Sequence, residues 1–338
     1  MRIPEQLIPE HNRTACAHMA EWIRREDDFL LITHVSPDGD AIGCSLALYG
    51  ILKDLGKRVV ACCEQAVPKT YRFLPFAEEM QLSGNVQAVG QNVIALDCAD
   101  AARMGSAQTL FAQGKATGVI DHHVTREAFA AHCIHDAGAA ATAELVLQLW
   151  LTLQPDSTKN PWHTEIATCL FVALSTDTGH FAYRNTTAYT FEAAALLRGL
   201  GVDIDALSSA LYRTVSIGKT RLRGHVINAI RLFENGRIGF STITQADLAA
   251  CGAASEDAEG MIDSVRDVES VQIAVLVREA KNGDCKVSFR TKGGISACEI
   301  AAGFGGGGHF AAAACTIQDT IENTVARVLS VAREALQK

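Results

Sequence analysis

The sequence predicts an α/β protein with an N-terminal, doubly wound, mostly parallel sheet and a smaller α/β domain after it. Two observations predict this fold. Over the first two hundred residues, short and continuously apolar segments alternate with segments of helical spacing, as expected of parallel strands buried on both faces. A helical stretch then separates this part from a second set of strand-like segments. The 338 residues also exceed what one hydrophobic core usually supports, so two domains are expected.

Four apolar runs predict the strands of the first domain. They are residues 29–34, 58–63, 93–98 and 118–123. The helix between the first two strands is predicted over residues 41–55, where Gly56 can end it. Open sheets of this kind bind ligands at the carboxyl ends of their strands. Functional residues are therefore expected at those ends.

Helices follow the fourth strand, and strands return later. The predicted helices cover residues 142–153, 163–174, 187–200 and 207–228, the last as one or two helices. The later strands are predicted over residues 237–243, 271–279 and 286–291, before a terminal helix at 321–336. We therefore expect a first domain over 1–205, a helical connector over 206–228 and a second domain over 229–338. The active site is expected in the cleft between the domains.

Composition excludes several classes of protein. The formal charge of −8 argues against a protein that binds long duplex DNA, because such proteins neutralise many phosphates with Lys and Arg. No apolar run approaches the roughly 20 residues that span a bilayer, and the start of the chain lacks a signal peptide pattern. We therefore expect a cytoplasmic protein without membrane contact. The eleven cysteines form no CxxC pair, which favours reduced, buried thiols over disulfides or thiolate-bound zinc.

Carboxylates and histidines collect where the predicted strands end. A turn with the sequence THVSPDGDAIG follows the first strand, where Gly43 lets the next helix pack closely. The third and fourth strands end in acidic residues, and another acidic residue follows a later helix. These side chains are His34, Asp38, Asp40, Asp97, Asp121, His122, His123 and Asp177. Four segments thus deliver potential ligands to one edge of the sheet.

This ligand set predicts a pair of divalent metal ions. Carboxylates and imidazoles without thiolates favour Mn²⁺, Fe²⁺ or Mg²⁺ over structural zinc, and we expect Mn²⁺. The carboxylates exceed the needs of one ion, which suggests two ions that share a bridging Asp. Ions about 3.5–4 Å apart activate a water and stabilise charge on a phosphoryl oxygen. Taken alone, Asp97 could be a helix cap and the Asp-His-His triplet a solvated loop, so the joint pattern decides.

The motifs resemble those of the DHH phosphoesterase superfamily. Its H-x-x-x-D-x-D turn, isolated strand-end Asp, DHH triplet and later D-T-G all occur here in order, and DCADAARMG at 97–105 is similar to its second motif. The resemblance implies that one metal is held by His34, Asp38 and Asp97. It implies that the other is held by Asp40, Asp97, His122 and Asp177. His123 would lie near the scissile phosphate as a hydrogen-bond or proton donor, and Asp121 would orient the histidines.

The C-terminal segment 288–315 resembles the DHHA1 domain, whose signature is G-G-G-H-x-x-A-A-G. The matching residues are Gly306, Gly307, Gly308, His309, Ala312 and Ala313. Consecutive glycines let a phosphate or base approach the backbone, and Arg290 can grip a terminal phosphate. The Gly/Ala run could instead be a flexible loop or a tight helix contact. Arg184 is a further candidate substrate contact, whereas Arg103 is more typical of a solvated arginine.

The order and length of these domains resemble the branch of bifunctional oligoribonuclease/pAp phosphatases. The resemblance implies hydrolysis of short oligoribonucleotides (nanoRNA and dinucleotides such as pApA) and of 3'-phosphoadenosine 5'-phosphate (pAp). A cyclic-di-AMP phosphodiesterase, a pyrophosphatase-like phosphohydrolase and a non-catalytic nucleotide-binding protein stay open, and a homodimer is expected only by analogy. Three residues depart from the family pattern: Cys44 replaces a common Ser, Arg126 a common Asn, and Ala314 the last Gly of the second signature.

Overall fold

The structure, a computed structural model, describes residues 7–86, 92–124, 127–153 and 163–337. Arg126 lies outside these residues. Contacts divide the chain into two compact units, Met1–Arg213 and Thr214–Lys338. This boundary falls in the segment for which a connector is predicted, and the three-part division into 1–205, 206–228 and 229–338 stays a prediction. Among the described residues, no helix is both long and apolar enough to cross a bilayer.

A six-stranded parallel sheet forms the centre of the first unit. The strands are β1 (Phe29–Thr33), β2 (Val59–Cys63), β3 (Met80–Leu82), β4 (Asn92–Leu96), β5 (Ala116–Asp121) and β6 (His132–His135). Their order is β3-β2-β1-β4-β5-β6, and all five pairings are parallel. The order reverses between β1 and β4, so a crevice opens outside the carboxyl ends of these two strands. The predicted doubly wound sheet is confirmed.

Seven α-helices flank this sheet in the described residues of the first unit. They are α1 (Glu10–Arg25), α2 (Gly39–Asp54), α3 (Gln108–Ala112), α4 (Thr142–Leu153), α5 (His163–Asp177), α6 (Ala188–Gly199) and α7 (Ile204–Ser208), with a π-helical turn at Ser209–Arg213. Helices α2 and α5 are the most extensively buried against each other. A Cβ at Gly43 would collide with the Cys169 carbonyl oxygen and the Ala173 side chain, so only glycine permits this close approach.

The second unit contains a mostly antiparallel sheet. Its strands are β7 (Arg231–Phe233), β8 (Ile238–Ile243), β9 (Ile273–Glu279), β10 (Cys285–Thr291), β11 (Gly307–His309) and β12 (Ala312–Ile317). Its helices are α8 (Ile217–Asn228), α9 (Gln245–Cys251), α10 (Ile262–Arg266), α11 (Ala297–Ala302) and α12 (Ile321–Ala335). The sheet order is β11-β12-β10-β9-β8-β7, and only β8 and β9 pair in parallel. One face carries an apolar core beneath α11 and α12.

Candidate metal centre

Two groups of ligands meet at Asp97, directly after β4. On one side, His34 Nε2 lies 3.4 Å from Asp97 Oδ2 and 3.8 Å from Asp38 Oδ1. On the other side, His122 Nε2 lies 3.7 Å from Asp97 Oδ1 and 3.3 Å from Asp177 Oδ2. The two oxygens of one carboxylate therefore face two separate ligand groups. This is the arrangement that a bridging carboxylate between two ions requires.

The backbone at Asp97 directs this carboxylate. Its φ is +59°, in the left-handed region that few residues other than Gly, Asn and Asp adopt. Its amide N–H donates to the Ile120 carbonyl at 2.9 Å, which ties the end of β4 to β5. The chain thus turns sharply after β4, while the side chain stays at the carboxyl ends of β1 and β4, where the strand order reverses. Such local strain clusters at functional sites.

Backbone carbonyls orient the two histidines. His34 Nδ1 lies 2.8 Å from the Val35 carbonyl oxygen, and His122 Nδ1 lies 3.1 Å from the Ala139 carbonyl oxygen. Because a carbonyl can only accept a hydrogen bond, Nδ1 is the protonated nitrogen in both neutral rings. Each ring therefore presents Nε2 to the carboxylates. This outer support selects the tautomer that a metal ligand needs.

Asp40 is held by the amino end of α4. Its Oδ2 accepts the Thr142 N–H at 2.7 Å, and its Oδ1 accepts the Ala143 N–H at 3.1 Å. The Cys44 thiol also donates to Oδ1, at 3.1 Å. Cys44, the first departure from the family pattern, thus keeps the donor that Ser would supply, although a thiol is the weaker one. Asp40 Oδ2 lies 3.9 Å from His122 Nε2, within the second ligand group.

The buried carboxylates of this cluster suit the binding of cations. Burial and the neighbouring charges of Asp97 and Asp177 raise the pKa of Asp40 well above its usual range. Burial raises the pKa of Asp177 to about 7. Among the described residues, the carboxylates of Asp40, Asp97 and Asp177 form ion pairs with histidines and with no Lys or Arg. Divalent cations would stabilise the ionised carboxylates that burial otherwise disfavours.

The carboxylates next to His34 raise the pKa of this histidine. Burial lowers its pKa, but the hydrogen bonds and negative charges of Asp38 and Asp97 outweigh burial and raise it to about 10. Without metal, a protonated His34 therefore balances part of the negative charge. A metal ion at this position must displace that proton.

His123 joins the cluster through Asp97, whose Oδ1 lies 3.7 Å from His123 Nδ1, and it also pairs with Asp121. His123 Nδ1 lies 2.7 Å from Asp121 Oδ1, and Asp121 is fully buried. The hydrogen bond to Asp121 raises the pKa of His123. The other oxygen of Asp121 is buried and has no hydrogen-bond partner among the described residues. Asp121 therefore orients His123 and favours its protonated form, as a proton donor requires.

Comparisons with known proteins identify related domains and related chains. The model of the DHH family, N-terminal domain, matches residues 28–174, and that of the DHHA1 domain matches residues 245–338. The bifunctional oligoribonuclease and PAP phosphatase NrnA of Thermus thermophilus is 35% identical over 93% of this chain and 91% of its own. The chain belongs to the DHH family. DHH-family membership makes it a hydrolytic phosphoesterase.

Two further relatives support the assignment to the DHH family. The enzyme with the same name from Bacillus subtilis is 25% identical over 86% of this chain and 90% of its own. The crystal structure of an exopolyphosphatase-related protein from Bacteroides fragilis superposes with a TM-score of 0.87, at 25% identity and 96% coverage of both chains. The predicted α/β fold, with a DHH domain before a DHHA1 domain, is therefore confirmed.

The Gly-rich segment of the DHHA1 domain ends in a short strand, Gly307–His309. Gly307 pairs with Ala314 and Gly308 with Ala313. A Cβ at Gly306 would collide with Ala314 and Cys315, whereas a Cβ at Gly307 would meet nothing within 4 Å. Gly308 has a φ of +147°, which also favours glycine. Strand packing therefore explains Gly306 and Gly308, whereas Gly307 leaves open space for a ligand.

The candidate substrate contacts lie in both units. In the second unit, Arg290 on β10 lines a cavity of about 360 Å³ together with Gly307 and Gly308. Ala314, the third departure, lines the same cavity. The side chain of His309 lies outside the described part of the chain. In the first unit, Arg184 is exposed and has no ion pair among the described residues.

Asn185, the neighbour of Arg184, fixes the segment after the D-T-G motif. Its side-chain amide donates to the Ala140 carbonyl at 2.9 Å and to the Asp177 carbonyl at 3.0 Å. Arg103 is exposed, and its carbonyl accepts the Val35 N–H at 2.7 Å. Its backbone thus supports the turn after β1. The charge of Arg103 opposes, without reversing, the rise in the pKa of His123 that Asp121 causes.

Sequence reasoning missed the residues that hold the ligands in place. Thr142 is fully buried and donates its hydroxyl to Asp97 Oδ1 at 2.9 Å. Glu144 is also buried, and it accepts the Ala140 N–H at 3.2 Å and the Thr190 hydroxyl at 2.7 Å. The sequence ATAE at 141–144 carries a possible signal, since a Thr and an acid at the start of a helix are typical capping residues.

Proposed function

We propose that the chain is a two-metal-ion phosphodiesterase and phosphatase that hydrolyses short oligoribonucleotides and pAp, with Mn²⁺ as its working ion. The observation that carries this proposal is the position of Asp97, whose two carboxylate oxygens face two ligand groups. His34 and Asp38 would hold one ion, and Asp40, His122 and Asp177 the other, with Asp97 shared. When bound, such a pair supplies a hydroxide nucleophile and neutralises charge on the phosphoryl oxygens.

The chain's own residues would orient the reaction. Asp121 holds the His123 ring through the 2.7 Å contact and favours its protonated form, which suits proton donation to the leaving oxygen. The substrate's other end would be bound by Arg290, Gly306, Gly307, Gly308 and His309 of the second unit. Arg184 is proposed as a contact from the first unit. A homodimer and a cytoplasmic location stay predictions.

Two observations support this substrate class. The relatives from Thermus thermophilus and Bacillus subtilis are named as oligoribonucleases and PAP phosphatases, and this chain covers about nine tenths of each. The acidic composition of the chain also disfavours long polyanions, because these bind through many cationic contacts. Short nucleotides with few phosphates fit both observations.

A turnover panel with purified full-length protein and Mn²⁺ tests this proposal. The substrates are pAp, pApA, RNAs of two to five nucleotides, cyclic-di-AMP and pyrophosphate. We expect phosphate release from pAp and mononucleotides from the short RNAs. Turnover of cyclic-di-AMP or pyrophosphate alone would instead assign one of the two alternative phosphohydrolase activities. No turnover of any substrate with Mn²⁺, Mg²⁺ or Fe²⁺ would indicate a non-catalytic nucleotide-binding protein.

A further inference from the structure

Arg278, on β9 of the second unit, has a guanidinium that forms no ion pair with the described residues. Its Nε is buried and has no hydrogen-bond partner among the described residues. Burial lowers the pKa of this arginine, and the charge of Glu259 opposes that effect only in part. No carboxylate of the described residues forms an ion pair with it. Removing a guanidinium from water without a partner is unfavourable, so residues of this kind usually have a ligand or a partner.

Two cavities border Arg278. One, of about 360 Å³, is lined by Arg278, Ser288, Arg290, Gly307 and Gly308. The other, also of about 360 Å³, is lined by Arg278 together with Lys281 and Lys286. Acidic residues lie there too, namely Glu259 in the first cavity and Glu256 and Glu279 in the second. Glu279 is engaged elsewhere, because its carboxylate accepts the Gln245 N–H at 2.8 Å.

Sheet register places the two arginines on one face. Arg278 pairs with Lys286, and Arg290 pairs with Ala274. Directly paired residues share a face, and so do residues separated by an even number along a strand. Arg278 and Arg290 thus lie on the same face, about 14 Å apart along the strand direction. The opposite face carries the apolar core beneath α11 and α12, and a second apolar core covers Ala274 and Leu276 on the same face as the arginines. Both side chains line the same cavity, so one ligand with two separate anionic groups can contact both arginines.

We propose that Arg278 forms a second phosphate subsite, which binds a phosphate group other than the one held by Arg290. The ligand class is a nucleotide with at least two separate phosphate groups. This inference rests on the proposed function for its substrate class. Arg278 would then select substrates such as pAp and dinucleotides over nucleoside monophosphates. A guanidinium suits this task because it binds phosphate through two parallel hydrogen bonds.

The test compares pAp, which has two phosphates, with AMP, which has one. Each nucleotide is titrated by calorimetry into the full-length protein that carries Asp97→Asn, because this substitution prevents turnover during the measurement. We expect Arg278→Met to weaken pAp binding roughly 10- to 100-fold and to leave AMP binding unchanged. Arg278→Lys should lose part of the affinity, because lysine keeps the charge without the planar fork. Arg231→Met is the matched control, since Arg231 is exposed on β7, the strand at the opposite edge of the sheet.

Thermal unfolding separates binding from a structural role. Methionine keeps the apolar stem and removes the charge, so Arg278→Met should unfold at or above the wild-type midpoint. Unchanged pAp affinity, or an equal loss for pAp and AMP, overturns the second subsite. A marked drop in the midpoint also overturns it, because Arg278 would then support the fold. A protein that binds pAp through Arg278 but hydrolyses no nucleotide would contradict the proposed function and leave this subsite standing.

Discussion

The Thr142 hydroxyl donates to Asp97 Oδ1 at 2.9 Å, while the Thr142 N–H donates to Asp40 Oδ2 at 2.7 Å. One residue at the start of α4 thus holds carboxylates that belong to both proposed ion positions. Helix α4 also offers the positive end of its dipole to Asp40. A single helix end therefore holds the Asp97 and Asp40 carboxylates. Its contribution can be measured residue by residue.

Replacing Thr142 with Val should weaken metal binding while the fold persists. Valine has nearly the same shape but cannot donate to Asp97, so the shared carboxylate loses its orienting hydrogen bond. We expect the Mn²⁺ concentration for half-maximal activity to rise roughly 10-fold or more. Thr142→Ser keeps the hydroxyl and is the matched control. Equal Mn²⁺ requirements in wild type and Thr142→Val would contradict the role of this hydrogen bond.

Replacing Asp97 with Asn should abolish turnover and leave the fold intact. Asparagine keeps the shape and tolerates the left-handed backbone, but one of its two side-chain atoms can no longer bind a cation. We expect at least a 1,000-fold loss of kcat with Mn²⁺, on the order of 4 kcal/mol. Circular dichroism and the denaturant midpoint check the fold. Asp205→Asn, at an exposed carboxylate, is the control. Retained turnover would refute the shared-ligand assignment.

Metal affinity should rise with pH. The pKa of Asp177 is raised to about 7 and that of His34 to about 10, so at pH 6 both groups hold protons that a metal must displace. We expect the logarithm of the Mn²⁺ affinity to increase by about one per pH unit through His34, with an additional increase below about pH 7 through Asp177. Calorimetry at three pH values in buffers of different ionisation enthalpy counts these protons. An affinity independent of pH would show that the ligands are already deprotonated.

Asp177 and His34 also make the stability of the metal-free protein depend on pH. A carboxyl whose folded pKa is raised, such as that of Asp177, stabilises the fold below its unfolded pKa and loses that contribution as pH rises through about 7. We therefore expect the metal-free midpoint of unfolding to fall between about pH 5 and pH 8. Added Mn²⁺ should restore more stability at pH 8 than at pH 6. A Mn²⁺ effect that is larger at pH 6 would have the wrong sign.

Replacing Gly43 with Ala should destabilise the first unit. The added methyl would collide with the Cys169 carbonyl oxygen and the Ala173 side chain, so α2 and α5 must separate. We expect a loss of about 1–3 kcal/mol in the free energy of unfolding. Gly224→Ala is the control, because Gly224 lies in α8 with no neighbour near its Cβ position. That change should increase helix stability by up to about 1 kcal/mol. Similar effects of both substitutions would contradict the packing explanation.

Replacing Glu144 with Ala should destabilise the segment before α4. The change leaves the Ala140 N–H without its acceptor and the buried Thr190 hydroxyl with only the Thr187 hydroxyl as a side-chain partner. Each unsatisfied group costs about 1–3 kcal/mol, so we expect a lower urea midpoint and a higher Mn²⁺ requirement. Glu192→Ala on exposed α6 surface is the control. An unchanged midpoint would indicate that water replaces the carboxylate.

The sequence is sufficient to predict the parts of the fold that depend on continuous apolar runs. Strands β1, β2, β4 and β5 agree with the four predicted runs, because buried parallel strands have such patterns. Strands β3 and β6 are short and partly exposed, so no run indicates them. The paired strands β11 and β12 also escape prediction, since glycine and alanine carry little strand propensity.

The candidate ligands are predictable for a related reason. They follow strands whose carboxyl ends meet at one edge, so position in the fold implies proximity. Thr142, Glu144 and Arg278 do not follow the carboxyl end of a strand. Thr142 and Glu144 stand out through their hydrogen bonds, and Arg278 through the lack of a partner for its Nε. Those relationships exist only in three dimensions. Long-range polar contacts and burial therefore need coordinates.

The left-handed backbone at Asp97 limits which inactive forms of this protein can still fold. Most residues at that position would oppose the conformation, by roughly 1–2 kcal/mol, before any loss of a ligand is considered. Asparagine and glycine are the residues that keep the chain path while removing the carboxylate. A naturally silenced paralogue with an otherwise sound fold is thus expected to carry one of these two residues there, which makes that codon a simple marker of lost catalysis.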